Sequence, residues 1–375
     1  MKPFHLSYPS PLALEYFETI LRSGKSAGGG EFNKRVEAFL KQELSANVKF
    51  TNSCTSALEI SALLLDLKEG DEVILPTYTF PSTANAFLLR GATIKWADSH
   101  KFHPNMDLDH AFSLVTERTK AIIPMYYGGV SCDWNKLKNF TETRNISVIE
   151  EAAQAWGAFY NDGENRFPLG TLGDAAVFSF HATKNVSAGE GGAIVCKRTD
   201  WLQKIEIIME KGTNRSAFQR GEINHYEWVN LGSSYVNSEW NAAYLLAQLE
   251  DNPLQFQIRC EKWKKLYESL NFVRNFGVDL PEIPEFAEHN AHLFYLVFPE
   301  IEMRKKFQKN LQQLGFETAT HYHCLHDSSY FRHQYKGGEL SNAKRFENGL
   351  LRLPIHHEVD VLQLIEAVKK AFKEL

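Results

Sequence analysis

Lys184 lies in the stretch "SFHATKN", after the apolar run "DAAVFSFH" and before the glycine-rich "AGEGG". A lysine in that setting has two readings. It is a surface lysine following a strand, or it is a Schiff-base lysine, an amine kept neutral because burial strips water from its ammonium form. Partners bear on the choice. "VIEEAAQ", residues 148–154, places Glu150 and Glu151 where an apolar strand ends, and ligands of parallel α/β sheets bind at the carboxyl ends of strands. Successive strand side chains point to opposite faces. At most one of the pair therefore faces a pocket, and Glu150 is read as a solvated acid. A carboxylate beside its ring nitrogen is what pyridoxal phosphate needs to act as an electron sink. "TNSCTSALE" sets Ser53, Thr55 and Ser56 at a helix start, as simple caps or as a cradle for a phosphate. Ser179, five residues before Lys184, is within reach of the same anion. Phe80 either stacks on a flat ring or joins the core.

The elements that must position these residues alternate. Helical spacing of apolar residues marks "PLALEYFETILRS", "FNKRVEAFLKQEL", "TSALEISALLLDL", "PSTANAFLLRG", "MDLDHAFSLV" and "WNKLKNFTET". Strands are expected at "VKFTN", "EVILP", "TIKWAD", "AIIPMYY" and "ISVIEE". This order implies an α/β fold, a mostly parallel sheet with helices on both faces. From about residue 240 the character changes. "SEWNAAYLLAQLEDN" and "QIRCEKWKKLYESL" read as two long helices, followed by a helix "EMRKKFQKNLQQLG", a strand "FETATHY" and a closing helix "VDVLQLIEAVKKAFKEL". We expect a large domain over residues 1–255 and a smaller C-terminal α+β domain over 256–375. Charged residues make up 23% and the net charge is -5, with no basic block, so nucleic acid is not an expected partner. No apolar stretch is long enough for a membrane span, and five widely spaced cysteines read as free thiols of a cytoplasmic protein.

"SFHATKN…GEGG", "SCTSALE", "LPTYTFPSTANAFLLRGA", "VIEEAAQ" and "KGTNRSAFQRG…LGSSYVNSEWNAAYLLAQLE" occur in one order. Together they resemble the DegT/DnrJ/EryC1/StrS sugar-nucleotide aminotransferases, and within that family the branch that aminates TDP-4-keto-6-deoxy-D-glucose. The resemblance implies a type I PLP-dependent aminotransferase fold, a homodimer with active sites shared across the interface, pyridoxal 5'-phosphate as cofactor, L-glutamate as amino donor and a nucleotide-sugar substrate. It implies Lys184 as the lysine that holds the cofactor, Thr55, Ser56 and Ser179 on its phosphate, Phe80 stacked on the ring, Gln154 at the ring hydroxyl and Glu151 at the ring nitrogen. It also implies Ser234 reaching the phosphate of the neighbouring subunit. Most of the family has aspartate where this chain has Glu151, so the carboxylate sits on a longer stem. Family members that are sugar dehydratases carry histidine in place of Lys184.

Two basic or histidine-rich stretches remain. Lys211, Arg215 and Arg220 are an exposed basic loop or a site for the substrate diphosphate. "HYHCLH", residues 321–326, is the rival signal. If it were a strand, His321 and His323 would share a face near Cys324 and His326 as a metal site; in the family reading, His326 touches substrate instead. "AGEGGAIV" is not read as a dinucleotide fingerprint, because its glycines precede a strand.

Overall fold

The computed structural model describes residues 1–375, the side chain of Asn252 apart. Its strands are β1 (Asn47–Thr51), β2 (Glu72–Pro76), β3 (Thr93–Ala97), β4 (Thr119–Ile122), β5 (Ser147–Glu151), β6 (Phe159–Asn161), β7 (Arg166–Pro168), β8 (Ala175–Ser179), β9 (Gly192–Cys196), β10 (Ala287–Glu288), β11 (Phe294–Val297) and β12 (Leu350–Leu353). Seven of them form the central sheet in the order β1-β9-β8-β5-β4-β2-β3. Only β9 runs antiparallel to its neighbours. Every residue of β2, β8 and β9 is buried, which is why these strands read as unbroken apolar runs rather than alternating ones.

The helices before residue 220 are α1 (Leu12–Ser23), α2 (Glu31–Leu44), α3 (Cys54–Leu64), α4 (Pro81–Leu88), α5 (Leu108–Ser113), α6 (Trp134–Glu142), α7 (Thr199–Met209) and α8 (Arg215–Gln219). Strand alternation assigns the sheet's faces. Val73, Leu75, Ile149, Ala175 and Val177 pack with α3, α4 and α7. Ile74, Val148, Ala176 and Phe178 pack with α1, α2, α5 and α6. By the same parity Glu151 and Ser179 lie on the α3 side, and Glu150 on the opposite side.

The two helices expected after residue 238 are one, α9 (Glu239–Ser269), with Pro253 inside it. The 255/256 boundary therefore falls within a continuous helix. Proline removes one backbone donor and crowds the preceding turn, at a cost of about 3 kcal/mol. Anchorage of the two ends offsets this: Ala242, Leu245 and Leu249 belong to the sheet's core, while Trp263, Leu266 and Leu270 belong to a separate one. That second core is completed by β11 and β12, an antiparallel pair, with α10 (Ile301–Gln313) and α12 (Val361–Lys373). Between them α11 (Ser341–Gly349) leads into β12. "FETATHY" does not form the expected strand. It makes single bridges, Phe316 with Lys2 and Ala319 with Arg352, because it runs between the N-terminal segment and β12 without staying in register with either.

Candidate active site

A cavity of about 660 Å³ opens at the carboxyl ends of β5 and β8, between the sheet and the β11–β12 unit. Lys184, Glu151, Gln154, Ser179, Thr55 and Phe80 all line it. Lys184 is carried on a turn pinned at several points. Ala188 N–H donates to Phe180 (2.7 Å), Ala182 N–H to Gly189 (2.9 Å) and Lys184 N–H to His181 (2.9 Å). Among the described residues its Nζ has no hydrogen-bond or ion-pair partner. Burial pushes the ammonium below its ordinary pKa; Glu151 and Cys54 pull it part of the way back, and Arg352 pushes it further down. The amine is thus biased towards its nucleophilic, proton-accepting form.

Glu151 is 4% exposed and uses one oxygen to accept from Ala153 N–H at 3.0 Å. Burial raises its carboxyl, with Lys184 opposing the shift. Glu150 is not the solvated acid expected. It is fully buried on the other face, where Oε2 accepts from Tyr126 O–H (2.8 Å) and Gly170 N–H (2.9 Å). Its Oε1 accepts from Leu172 and Gly173 N–H, each at 2.7 Å. An isolated buried carboxylate would be costly; four donors make this one a clamp on the loop that leads into β8.

The N-terminus of α3 faces the same space. Ser53 caps it, its Oγ accepting from Ser56 N–H at 3.0 Å, and the helix dipole and free N–H groups favour an anion there. Thr55 bonds to Ser82 Oγ at 2.8 Å and stays on the cavity wall. Ser56 does not line the cavity; its hydroxyl turns to Asn52 Oδ1 at 2.5 Å. The close seating of this helix end requires Gly192, since a Cβ there would stand 2.4 Å from Cys54 N and Ser53 C. Gln154 is held at both ends of its amide. Oε1 accepts from Gly128 N–H at 2.7 Å and Nε2 donates to Tyr322 O–H at 3.0 Å. Phe80 stands at the rim, 57% exposed. A buried amine whose pKa is lowered, a buried carboxylate and an anion-binding helix end around one cavity are the set that a phosphorylated aldehyde cofactor requires.

Residues 11–371 match the DegT/DnrJ/EryC1/StrS aminotransferase family. The chain belongs to that family. It is 31% identical over 355 residues to the spore coat polysaccharide biosynthesis protein SpsC of Bacillus subtilis, covering 92% of this chain and 89% of that one. Among solved structures it superposes on the aminotransferase TlmJ of Streptoalloteichus hindustanus with a TM-score of 0.90 and 25% identity, covering 100% and 99% of the two chains. It superposes on the PMP form of the putative sugar aminotransferase Spr1654 of Streptococcus pneumoniae with a TM-score of 0.91 and 24% identity, over the full length of both. The type I aminotransferase fold expected from the motifs is the fold observed.

The aminotransferase cavity excludes several residues singled out in the sequence. Ser234 is exposed, and its carbonyl accepts from Asn52 Nδ2 at 3.1 Å. Lys211 and Arg215 pair with Glu210, and Arg220 pairs with Glu206 and Glu222, all outside the cavity. The "HYHCLH" residues diverge. His321 lines the cavity, His323 is paired with Glu347 at the surface, and His326 Nδ1 bonds Thr77 Oγ1 at 2.7 Å, outside the lining. Among the described residues no three His, Cys, Asp or Glu side chains are grouped to hold a metal ion. All five cysteines are free, and among the described residues no helix is long and apolar enough to cross a membrane. Sequence reasoning missed the wall contributed by the chain ends: Phe4, His5, Arg259, His292, Tyr322 and Arg352. Apart from Tyr322, which lies within "HYHCLH", none carries a local motif, because each reaches the site only when the N-terminal segment or the C-terminal unit packs against the sheet.

Proposed function

We propose that this aminotransferase uses pyridoxal 5'-phosphate to move an amino group from L-glutamate to a nucleotide-linked keto sugar. The substrate is TDP-4-keto-6-deoxy-D-glucose and the products are TDP-4-amino-4,6-dideoxy-D-galactose and 2-oxoglutarate. The observation that carries the reading is that Lys184 and Glu151 line one cavity, beside the N-terminus of α3. The choice of sugar and of C4 follows the motif resemblance.

When bound, pyridoxal phosphate supplies the electron sink that stabilises negative charge at the reacting carbon. The residues around it divide the remaining work. Lys184 would hold the cofactor covalently and, once displaced by the donor, would take the proton from the donor α-carbon as a base and pass it on as an acid, not back to the carbon it came from. Glu151 keeps the ring nitrogen protonated. Thr55, Ser53, Ser179 and the N–H groups of α3 hold the phosphate, with Gln154 at the ring hydroxyl and Phe80 against the ring. Lysine at position 184 favours transamination over the family's dehydratases. A homodimer would cover the apolar surface of the 226–231 segment, where Trp228 is 77% and Tyr226 50% exposed, and would bring Ser234 and the basic loop to a partner's site. Incubation with pyridoxal phosphate, glutamate and TDP-4-keto-6-deoxyglucose, with the product identified by mass and NMR, tests the reading. An amine at C3 or the opposite configuration at C4 would replace the assigned product, and no amino sugar at all would refute it.

A further inference from the structure

The turn that carries Lys184 is also held from outside the large domain, by the loop of Asn290, Ala291 and His292. Ala291 belongs to the second core. It takes a left-handed φ of 52°, a conformation that non-glycine residues rarely adopt. Hydrogen bonds on three sides fix the loop there. From α9, Arg259 Nε donates to Ala291 O and Nη2 to His292 O, both at 2.7 Å. Towards the end of β5, Asn290 Nδ2 donates to Gln154 O at 2.7 Å and to Trp156 O at 2.9 Å. Towards the lysine, Asn290 O accepts from Asn185 Nδ2 at 3.0 Å, and His292 Nδ1 lies 2.9 Å from Asn185 Oδ1.

The last two contacts assign a proton. The Asn185 amide nitrogen is used on a carbonyl, so its oxygen faces the ring, and an amide oxygen only accepts. His292 Nδ1 therefore carries the hydrogen. Burial, reinforced by the charges of Lys184, Arg259 and Arg352, holds the imidazole well below its ordinary pKa. The ring is neutral and Nε2 keeps its lone pair. We propose that His292 is a positioning residue for Lys184: its Nδ1–H fixes Asn185 and with it the backbone from which the neighbouring lysine projects; this rests on the aminotransferase reading above. The lysine amine ends a flexible four-carbon stem, so it is aimed only as well as its backbone is held. The same loop holds the backbone of Gln154. One segment of the second core thus sets the base and the ring-hydroxyl contact in register, where a misplacement of about 1 Å costs about 10²-fold in rate.

Two substitutions separate hydrogen bonding from packing. Glutamine is nearer to histidine in volume, whereas asparagine puts an amide nitrogen where Nδ1 was. In His292→Gln we expect the rate at which the purified chain takes up pyridoxal phosphate, read by absorbance, to fall at least about tenfold. His292→Asn should recover it to within about threefold of wild type, the scale of an imperfect hydrogen bond. Asn185→Ala combined with His292→Gln should be little worse than either alone, since both remove one contact. In the nitrogen-15-labelled, cofactor-free chain, NMR should place the His292 hydrogen on Nδ1 at pH 7.5, the signal being assigned by its loss in His292→Asn. A hydrogen on Nε2, His292→Gln outperforming His292→Asn, or additive losses would overturn the assignment in favour of simple packing. A wild-type chain that takes up no pyridoxal phosphate would instead refute the proposed function, while the NMR measurement would still read His292.

Discussion

Adjacent residues Glu150 and Glu151 offer a sharp comparison, because strand geometry sends one into the core and the other into the cavity. Glu150→Gln keeps the shape of the side chain. Its carbonyl can still accept from Leu172 and Gly173 N–H, but the new amide group would face Gly170 N–H, donor against donor. The Tyr126 hydroxyl can rotate to accept, so one backbone N–H is orphaned. An unmet buried donor costs about 1–3 kcal/mol, or about 2–6 °C in Tm for a large chain. The cofactor's absorbance should be unchanged, since this carboxylate is on the far face of the sheet. Glu151→Gln should do the reverse: leave Tm within about 1 °C, since the amide oxygen can still accept from Ala153 N–H and the other end of the side chain faces the cavity, and lower kcat by about 10²-fold or more by removing the charge that stabilises the protonated ring. Thermal melts at one scan rate and initial rates of 2-oxoglutarate release measure both. A Glu150→Gln enzyme that melts normally but fails to turn over, or a Glu151→Gln enzyme that turns over freely, would refute the assignment of faces and roles.

Borohydride reduction of the cofactor-loaded protein should fix the label on the peptide containing Lys184, and Lys184→Arg should lose both the label and turnover. Gly192→Ala should cost about 1–3 kcal/mol through overpacking against the Ser53–Cys54 backbone and should weaken cofactor binding as the end of α3 shifts, measured by melts and by fluorescence titration. Acid should destabilise the protein. Burial lowers His103 to about 3 and His289 to about 4, so the unfolded chain takes up these protons first. The associated stability is complete above pH 6.5 and falls by up to about 1.4 kcal/mol per pH unit for each histidine below it. Melts at pH 7.5, 6.5 and 5.5 should show the decline, and His103→Gln should make it shallower.

Much of the large domain was legible because its signals are local. β2 coincides with "EVILP" and α6 with most of "WNKLKNFTET", since apolar period and capping residues act over a few positions. The misreadings share a cause. Glu150 sits in a strand where nothing nearby in sequence announces its donors; Gly170, Leu172 and Gly173 are about twenty residues away. The apparent break at Pro253 is overridden because the two halves of α9 are anchored in different cores. "FETATHY" has strand composition but only single-bridge partners.

By itself the sequence determined the α/β alternation and the residues whose chemistry depends on what they are and where a strand or helix ends: Lys184, the Glu150–Glu151 pair and the Ser53–Thr55 cap. Tertiary structure decided which glutamate entered the cavity's neighbourhood and which became a clamp, and it alone brought Phe4 and Arg352, at opposite ends of the chain, onto one wall. The physical reason is range. Backbone propensity and capping act over one or two turns, whereas desolvation and unmet hydrogen bonds exist only after distant segments have excluded water together.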